Sequence, residues 1–285
     1  MVTLDSMQRL DLRRYPRLQV LTVNAVLRPD FAFPRRTEIV VEGIERISAA
    51  SPVFIAMNHT DRYNGFPFQA ELYREERGFT CPWTKAKYFK YPPLAWFLLT
   101  ANGIPVPSRG YILASEYRRH VGRYPDHHEY AALAGIVDTA ADGKEAAPAS
   151  LPGAVGAFLS SYSREHPMGF RSRFWLQYEG MMAEVVRLTR RAFELGHHVL
   201  VFPEGTRSKR LAAGRSGLVQ VAQHIGAPIV PVGCSGSDRL YPGSLPFSRG
   251  GARALPGGRG AGTRRSGIRA PSGDSRRDSL HPSHR

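Results

Sequence analysis

Two short runs of the chain combine residue types that suit chemistry on a phosphorylated substrate. The first is Glu-Gly-Thr-Arg at 204–207, which follows an apolar run and Pro203. An arginine at the end of a strand, beside a glycine that lets the backbone come close, suits recognition of a phosphate. The second is Asn-His-Thr-Asp at 58–61, which follows the apolar run 53–57. The histidine is a candidate base and the arginine a candidate phosphate-binding group, and such chemistry needs at least these two.

Both runs follow short apolar segments that are typical of strands, and helical segments alternate with these strands. Strands are predicted at 38–44, 52–57, 79–84, 104–106, 198–202 and 229–232. Helices are predicted at 65–77, 92–101, 173–195 and 218–225. The helix at 92–101 is expected to be short and buried.

The alternation predicts an α/β fold, with a mostly parallel sheet flanked by helices. Sites in such sheets gather at the carboxyl ends of the strands. His59 and the run 204–207 both follow predicted strands, so both are expected at that edge of the sheet.

The two ends of the chain differ from the body at 38–247. Residues 1–37 form an N-terminal segment in which 5–28 mix leucines and valines with arginines. That pattern predicts a basic amphipathic helix, able to rest on an anionic bilayer or to pack on the domain. The tail at 248–285 holds nine Arg and two Asp and loses hydrophobic periodicity. It is interpreted either as a disordered basic extension or as sequence read out of frame beyond about Gly251.

The composition narrows the class of protein. Lys plus Arg number 39 against 24 acidic residues, a net charge of +15, of which the tail contributes +7. The remaining +8 favours a phosphate ligand, a membrane surface or nucleic acid, although solubility alone would also explain it. Two cysteines, Cys81 and Cys234, make no disulfide framework and fit a reducing compartment. No apolar stretch approaches the ~18 residues of a membrane span, so any membrane contact is expected to be peripheral.

Four blocks, in order along the chain, resemble the glycerolipid acyltransferases, the superfamily of 1-acylglycerol-3-phosphate acyltransferases. The blocks are Asn58-His59, Gly-Ile-Pro-Val-Pro-Ser-Arg at 103–109, Phe-Pro-Glu-Gly-Thr-Arg-Ser at 202–208 and Ile-Val-Pro-Val at 229–232. The third block is the most specific, and the order of the four adds more than any one of them. The resemblance spans roughly 38–247 and implies a single acyltransferase domain.

The chain departs from the family pattern in three places. The family's first block carries an aspartate five positions after its histidine, and here that position is Asn64. An asparagine can orient an imidazole through its carbonyl oxygen, but it stabilises an imidazolium less than a carboxylate does. Asp61 is the nearest carboxylate in sequence, and it either turns towards His59 or caps the following helix. The other departures are a long gap before Glu204, which points to an insertion at about 111–172, and the lack of sheet-forming sequence after the fourth block.

The resemblance also assigns roles to the matching residues. His59 would take the proton from the acceptor hydroxyl as that hydroxyl attacks an acyl thioester, with Asp61 or Asn64 in support. Arg109 and Arg207 would hold the phosphate of the acceptor. The acceptor site would also be shaped by the three residues that precede Arg207, namely Glu204, Gly205 and Thr206.

The partners follow from the same resemblance. The co-substrate would be an acyl-CoA or an acyl-carrier-protein thioester, and no cofactor is implied. The acceptor would be a lysophospholipid, lysophosphatidic acid above all, in phospholipid synthesis. A lipid acceptor places the chain in the cytoplasm, peripheral at an anionic inner membrane surface. The histidine pairs at 127–128 and 197–198 lack a third ligand at convincing spacing and are not interpreted as metal sites.

Two other functions are compatible with the sequence. Without the family aspartate and with an atypical C-terminal segment, the same pocket could bind a phosphorylated lipid without turnover. The Arg-rich tail could bind nucleic acid, but it contains no recognised module and no interleaved aromatic residues, so this alternative is the least favoured.

Overall fold

The computed structural model describes residues 1–33, 37–138, 151–208, 210–243 and 245–249, together with the backbone of 266–269. The chain divides into two compact units. The first unit comprises Met1–Gln19 and Cys81–Leu195, and the second comprises Val20–Thr80 and Gly196–Arg285.

Helices and strands alternate along much of the chain. The helices are α1 (Leu4–Gln8), α2 (Arg17–Thr22), α3 (Arg28–Ala32), α4 (Gly65–Arg74), α5 (Pro92–Thr100), α6 (Arg109–Val121), α7 (His127–Asp138), α8 (Gly153–Glu165), α9 (Gly169–Glu194), α10 (Gly217–Ile225) and α11 (Ser237–Leu240). The strands are β1 (Ile39–Glu42), β2 (Phe54–Met57), β3 (Thr80–Lys85), β4 (Ile104–Val106), β5 (His198–Val201), β6 (Ile229–Cys234) and β7 (Ser266–Arg269).

The second unit is built on a sheet with β2 between β5 and β6. Phe54 of β2 lies opposite Val199 of β5 and Ile229 of β6, and both pairings are parallel. β7 pairs in parallel with β1 and antiparallel with β6. Apolar side chains of β2, β5 and β6 pack with Phe68 and Leu72 of α4 in one buried cluster. Alternating strands and helices with mostly parallel pairing confirm the predicted α/β fold.

The first unit combines the parallel pair β3 and β4 with a group of helices. Helices α6, α7, α8 and α9 pack on one another. Buried aromatic rings join α6, α8 and α9, with Tyr117, Phe158, Tyr162 and Phe170 at centroid distances of 5.2 to 5.5 Å. Much of the predicted insertion at 111–172 is therefore helical, while residues 139–150 lie outside the described residues.

The prediction of a single helix over residues 5–28 is wrong. Residues 9–16 separate α1 from α2, and Pro16 directly precedes α2, where its fixed φ and missing backbone N–H would interrupt a continuous helix. After α2 the chain continues through a π-helical turn at Val23–Leu27 into α3. Within the second unit, the apolar face of this stretch packs on Leu240 and Tyr241. Packing on the domain is therefore the alternative that the structure supports for that face.

Helix α5 contradicts the expectation of a buried helix. All nine of its residues, Pro92–Thr100, are at least partly exposed, and Leu94 and Trp96 are among the exposed large apolar side chains. The sequence predicts the helix but not its surroundings, because an apolar pattern on all sides of a helix gives no polar face to orient it. Among the described residues, no helix is long and apolar enough to cross a membrane.

Part of the predicted tail can be described. The backbone N–H of Ser248 donates to Asp30 Oδ2 at 2.7 Å, and 266–269 form β7. The predictions made for the rest of 248–285 fall on residues outside those described, so they stay predictions. Cys81 and Cys234 are both free and buried.

Candidate active site

Two loops of the second unit carry most of the predicted site residues. The histidine loop, residues 58–64, follows β2, and the arginine loop, residues 202–216, follows β5. Because β2 and β5 are parallel neighbours, their carboxyl ends lie at the same edge of the sheet. The register of the two strands therefore brings loops together that are separated by more than 130 residues of sequence.

Three contacts join the loops at His59. The backbone N–H of His59 donates to Glu204 Oε1 at 3.0 Å. The carbonyl of His59 accepts from the backbone N–H of Ser208 at 2.9 Å. The imidazole stacks on the ring of Phe202, with centroids 4.2 Å apart and planes inclined by 22°. His59 is thus held through its backbone and its ring by the arginine loop.

The tautomer of His59 follows from the hydrogen bonds of Asn64. The amide N–H of Asn64 donates to the carbonyl of Asn58 at 2.7 Å, which fixes the orientation of that amide. Asn64 Oδ1 then lies 3.2 Å from His59 Nδ1. Since a carbonyl oxygen can only accept, Nδ1 must carry the proton and Nε2 the lone pair. A neutral imidazole in this tautomer can take a proton at Nε2.

Asn58 ties the histidine loop to the end of β6, a role that the sequence analysis missed. Its side-chain amide donates to the carbonyl of Cys234 at 2.9 Å and accepts from the backbone N–H of Cys234. Burial raises the pKa of the Cys234 thiol to about 11, so this thiol stays protonated near neutral pH. The sequence does contain a signal for this role of Asn58. An asparagine directly after a strand can use its side-chain amide to hydrogen-bond the backbone of a neighbouring strand.

Asp61 braces the loop itself. Its carboxylate accepts from the backbone N–H of Tyr63 at 2.7 Å and from the hydroxyl of Thr60 at 3.0 Å. Tyr63 lies two residues before Gly65, the first residue of α4, and Asn64 is the N-cap, so Asp61 supports the turn into the helix rather than capping the helix itself. Of the two candidates named as supports for the imidazole, Asn64 is the one whose acceptor oxygen faces His59 Nδ1.

Glu204 holds both loops with one buried carboxylate. Besides His59, it accepts from the backbone N–H of Ala212, through Oε2 at 3.0 Å. Its residue is only 6% exposed, so these bonds are sheltered from water. The structure therefore gives Glu204 a bracing role beside the predicted role in acceptor binding.

Gly205 and Arg215 lie against each other. Gly205 has φ +67°, a backbone conformation that side chains rarely adopt. A Cβ at this position would also come within 3.1 Å of Arg215 Nε. The sequence analysis missed Arg215 because it lies outside the matched block, with no spacing rule to connect it to Gly205. Thr206 and Arg207 follow Gly205 in the loop, and both are exposed.

Arg109 belongs to the first unit. It begins α6, and its guanidinium pairs with Asp138 at 2.5 Å, with both side chains 53% exposed. This ion pair engages the guanidinium that the resemblance assigns to the acceptor phosphate. A shared acceptor site for Arg109 and Arg207 stays a prediction.

His198, one member of a histidine pair, has a structural role. Its Nδ1 accepts from the backbone N–H of Val53 at 3.2 Å, so Nε2 carries the proton and donates to the carbonyl of Arg77 at 2.8 Å. Burial lowers the pKa of His198, which favours the neutral ring. Both ring nitrogens of His198 are thus occupied by the backbone.

Residues 163–235 match the family model described as acyltransferase. The matched span contains β5, the arginine loop and β6, and it excludes His59 and Arg109. No curated protein matches the chain. The match supports an acyltransferase domain and leaves the donor and the acceptor open.

Proposed function

We propose that this protein is an O-acyltransferase that moves a fatty acyl group from a thioester donor to the hydroxyl of a lysophospholipid, with lysophosphatidic acid as the acceptor. One observation carries the proposal. His59 is bound to the arginine loop through its backbone while Asn64 orients its ring with Nε2 as the basic nitrogen. The acyltransferase match over 163–235, which includes that loop, supports the same class of reaction.

The proposed reaction needs a base because an alcohol is a poor nucleophile at neutral pH. His59 Nε2 takes the hydroxyl proton of the acceptor as the hydroxyl oxygen attacks the thioester carbonyl carbon. The tetrahedral intermediate then collapses, the C–S bond breaks, and the leaving thiolate takes the proton from the imidazolium. The ester forms without an acyl-enzyme, since the acceptor itself is the nucleophile.

Asn64 keeps His59 in the reactive tautomer during this cycle. Its carbonyl oxygen accepts from Nδ1–H before and after proton transfer, so the ring does not need to turn. An amide dipole stabilises the imidazolium less than the carboxylate of the resembling family would. We therefore propose a slower proton transfer than an aspartate at position 64 would give.

The acceptor phosphate is assigned to the cations of the arginine loop. Arg207 is an exposed residue of that loop, and Arg215 lies against Gly205, which is two residues before Arg207. Two guanidinium groups suit a phosphate that carries up to two charges. The proposal rests on this pair rather than on Arg109, which is engaged by Asp138.

We also propose peripheral contact with the anionic inner surface of a membrane, from the cytoplasmic side. Helix α5 exposes Leu94 and Trp96, and the turn before it carries Lys87 and Lys90. Lys90 Nζ lies 4.8 Å from the ring centroid of Tyr91, an exposed aromatic residue. Apolar side chains beside lysines and aromatic rings suit the boundary between headgroups and acyl chains.

A donor and acceptor panel tests the proposal. Purified full-length protein is assayed for thiol release with acyl-CoA and acyl-carrier-protein donors, each with lysophosphatidic acid or with monoacylglycerol. We expect turnover with lysophosphatidic acid and much slower turnover with monoacylglycerol, which lacks the phosphate. Binding of lysophosphatidic acid with no thiol release from either donor would instead favour a lipid-binding protein and overturn the assignment as an enzyme.

A further inference from the structure

Three metal-ligating side chains of the first unit meet at the ends of two helices. His120 lies in the last turn of α6, Glu165 is the last residue of α8, and His166 follows it. One ligand atom from each side chain lies within 4.8 Å of the other two. We propose that His120, Glu165 and His166 bind a first-row divalent transition-metal ion, and that zinc matches the site best. This inference does not depend on acyl transfer.

The spacing of two of the ligand atoms already fits a coordinated ion. His120 Nε2 and Glu165 Oε2 are 3.4 Å apart. Zinc bonds of about 2.0–2.1 Å in tetrahedral geometry place neighbouring ligand atoms about 3.3–3.4 Å from each other. The ligand atom of His166 lies within 4.8 Å of both of them.

A hydrogen bond to Nδ1 of His120 orients the ring so that Nε2 can bind a metal ion. His120 Nδ1 lies 3.1 Å from the backbone carbonyl of Glu116, which can only accept. In the neutral ring Nδ1 therefore carries the proton, and the Nε2 lone pair faces the carboxylate of Glu165. Two electron-rich atoms at 3.4 Å suit a cation bound between them. A backbone carbonyl that orients a histidine in this way is the usual outer partner of a metal ligand.

Packing fixes the two rings while the carboxylate stays adjustable. The buried ring of Tyr162 contacts both imidazoles, with centroid distances of 4.8 Å to His120 and 4.5 Å to His166. The side chain of His120 is 14% exposed, whereas that of Glu165 is 57% exposed and can move onto an ion. Two imidazoles and one carboxylate leave the fourth tetrahedral position to water.

The chemistry of the ligands selects the ion. Two imidazole nitrogens with one carboxylate suit zinc and its neighbours, while magnesium and calcium prefer oxygen ligands. Since His120 and the pair 165–166 belong to different helices, a bound ion would fasten the end of α6 to the end of α8. Binding to the folded state should then raise the unfolding temperature.

The test uses metal-free full-length protein with zinc and cobalt as probes. We expect one zinc per chain by calorimetry and the visible absorption of tetrahedral cobalt. We also expect a rise in unfolding temperature of about 5–10 °C when zinc is at 100 times its Kd. Magnesium should produce none of these changes.

Variants separate this site from adventitious histidine binding. His120→Ala and Glu165→Gln should each weaken zinc binding at least tenfold. The matched control His127→Ala/His128→Ala removes two exposed histidines that follow one another in sequence, and it should bind zinc like the wild type. Glu165→Gln keeps the shape of an exposed side chain, so it stays informative if His120→Ala disturbs packing on Tyr162. Unchanged binding in Glu165→Gln, or no zinc binding by the wild type, would overturn the proposal.

Discussion

The histidine loop and the arginine loop are held in contrasting ways. In the histidine loop, Asn64 is fully buried and Asp61 is 7% exposed, and both use their side chains in hydrogen bonds within the loop. In the arginine loop, Glu204 is buried, while Thr206 and Arg207 are exposed. The proposed base is therefore fixed in the absence of substrate, whereas the exposed side chains proposed to bind the acceptor are free of such bracing from the described residues.

This contrast matches the demands of the two tasks. Proton transfer needs a heavy-atom distance of about 2.6–3.2 Å, so the base requires a rigid setting. A phosphate offers several oxygens to a guanidinium and tolerates some movement. Substitutions in the histidine loop should therefore change kcat, and substitution of the exposed Arg207 should change KM.

The largest expected effect comes from His59→Ala. Loss of the base should lower kcat by about 10²–10⁴-fold, with little change in the KM for the acceptor. Steady-state rates of thiol release, combined with circular dichroism to verify folding, measure this. His224→Ala, which removes an exposed histidine on α10, is the matched control and should retain the wild-type kcat. Full turnover by folded His59→Ala would exclude this residue as the base.

Asn64→Ala should have the next largest effect. It removes the oxygen that faces His59 Nδ1 and leaves the carbonyl of Asn58 without its donor from Asn64, so kcat should fall by about 10- to 100-fold. Asp61→Ala should cost less, because its bonds are to Thr60 and Tyr63. Rates per folded molecule compare the two variants. A larger loss in Asp61→Ala would reverse the assigned roles.

Arg207→Ala tests the role proposed for the exposed side chains of the arginine loop. Loss of a charge-assisted contact with the phosphate should raise the KM for lysophosphatidic acid by about 10- to 100-fold, with kcat changed far less. Arg74→Ala, which removes a surface arginine paired with Glu71, serves as the control. A drop in kcat with constant KM would place Arg207 in the chemical step instead.

The smallest expected effect concerns His198 and pH. Burial depresses its pKa in the folded state, so the unfolded chain binds the proton more readily in acid. Its contribution to stability is present above the unfolded pKa of about 6.5 and is lost as pH falls through the lower folded pKa. The unfolding temperature measured from pH 7.5 to pH 5 should therefore fall less steeply in His198→Gln than in the wild type. Identical slopes would mean that His198 does not carry this dependence.

The sequence predicts the site-bearing elements because their apolar patterns are local. β2, α4, β5, α10 and β6 all occur within a few residues of their predicted limits. The placement of His59 and Glu204 at strand ends follows from the same patterns and from the geometry of parallel sheets. Their direct hydrogen bond depends on strand order, which periodicity alone does not specify.

The features that the sequence does not predict depend on tertiary contacts between residues that no local pattern connects. Arg109 pairs with Asp138, and Arg215 lies against Gly205, although no local pattern marks either contact. The exposure of α5 is a similar case, because apolar side chains predict burial in a core and contact with lipid equally well. Local rules therefore locate the loops, while tertiary packing decides which side chains work together.

The most direct test of the central claim is the protonation of the His59 ring in the resting protein. Nitrogen-15 NMR near neutral pH, assigned by comparison with His59→Ala, distinguishes the two ring nitrogens. We predict that Nδ1 carries the proton and Nε2 does not, and that this preference weakens in Asn64→Ala. A neutral ring protonated at Nε2 would contradict the role of His59 as the base in acyl transfer.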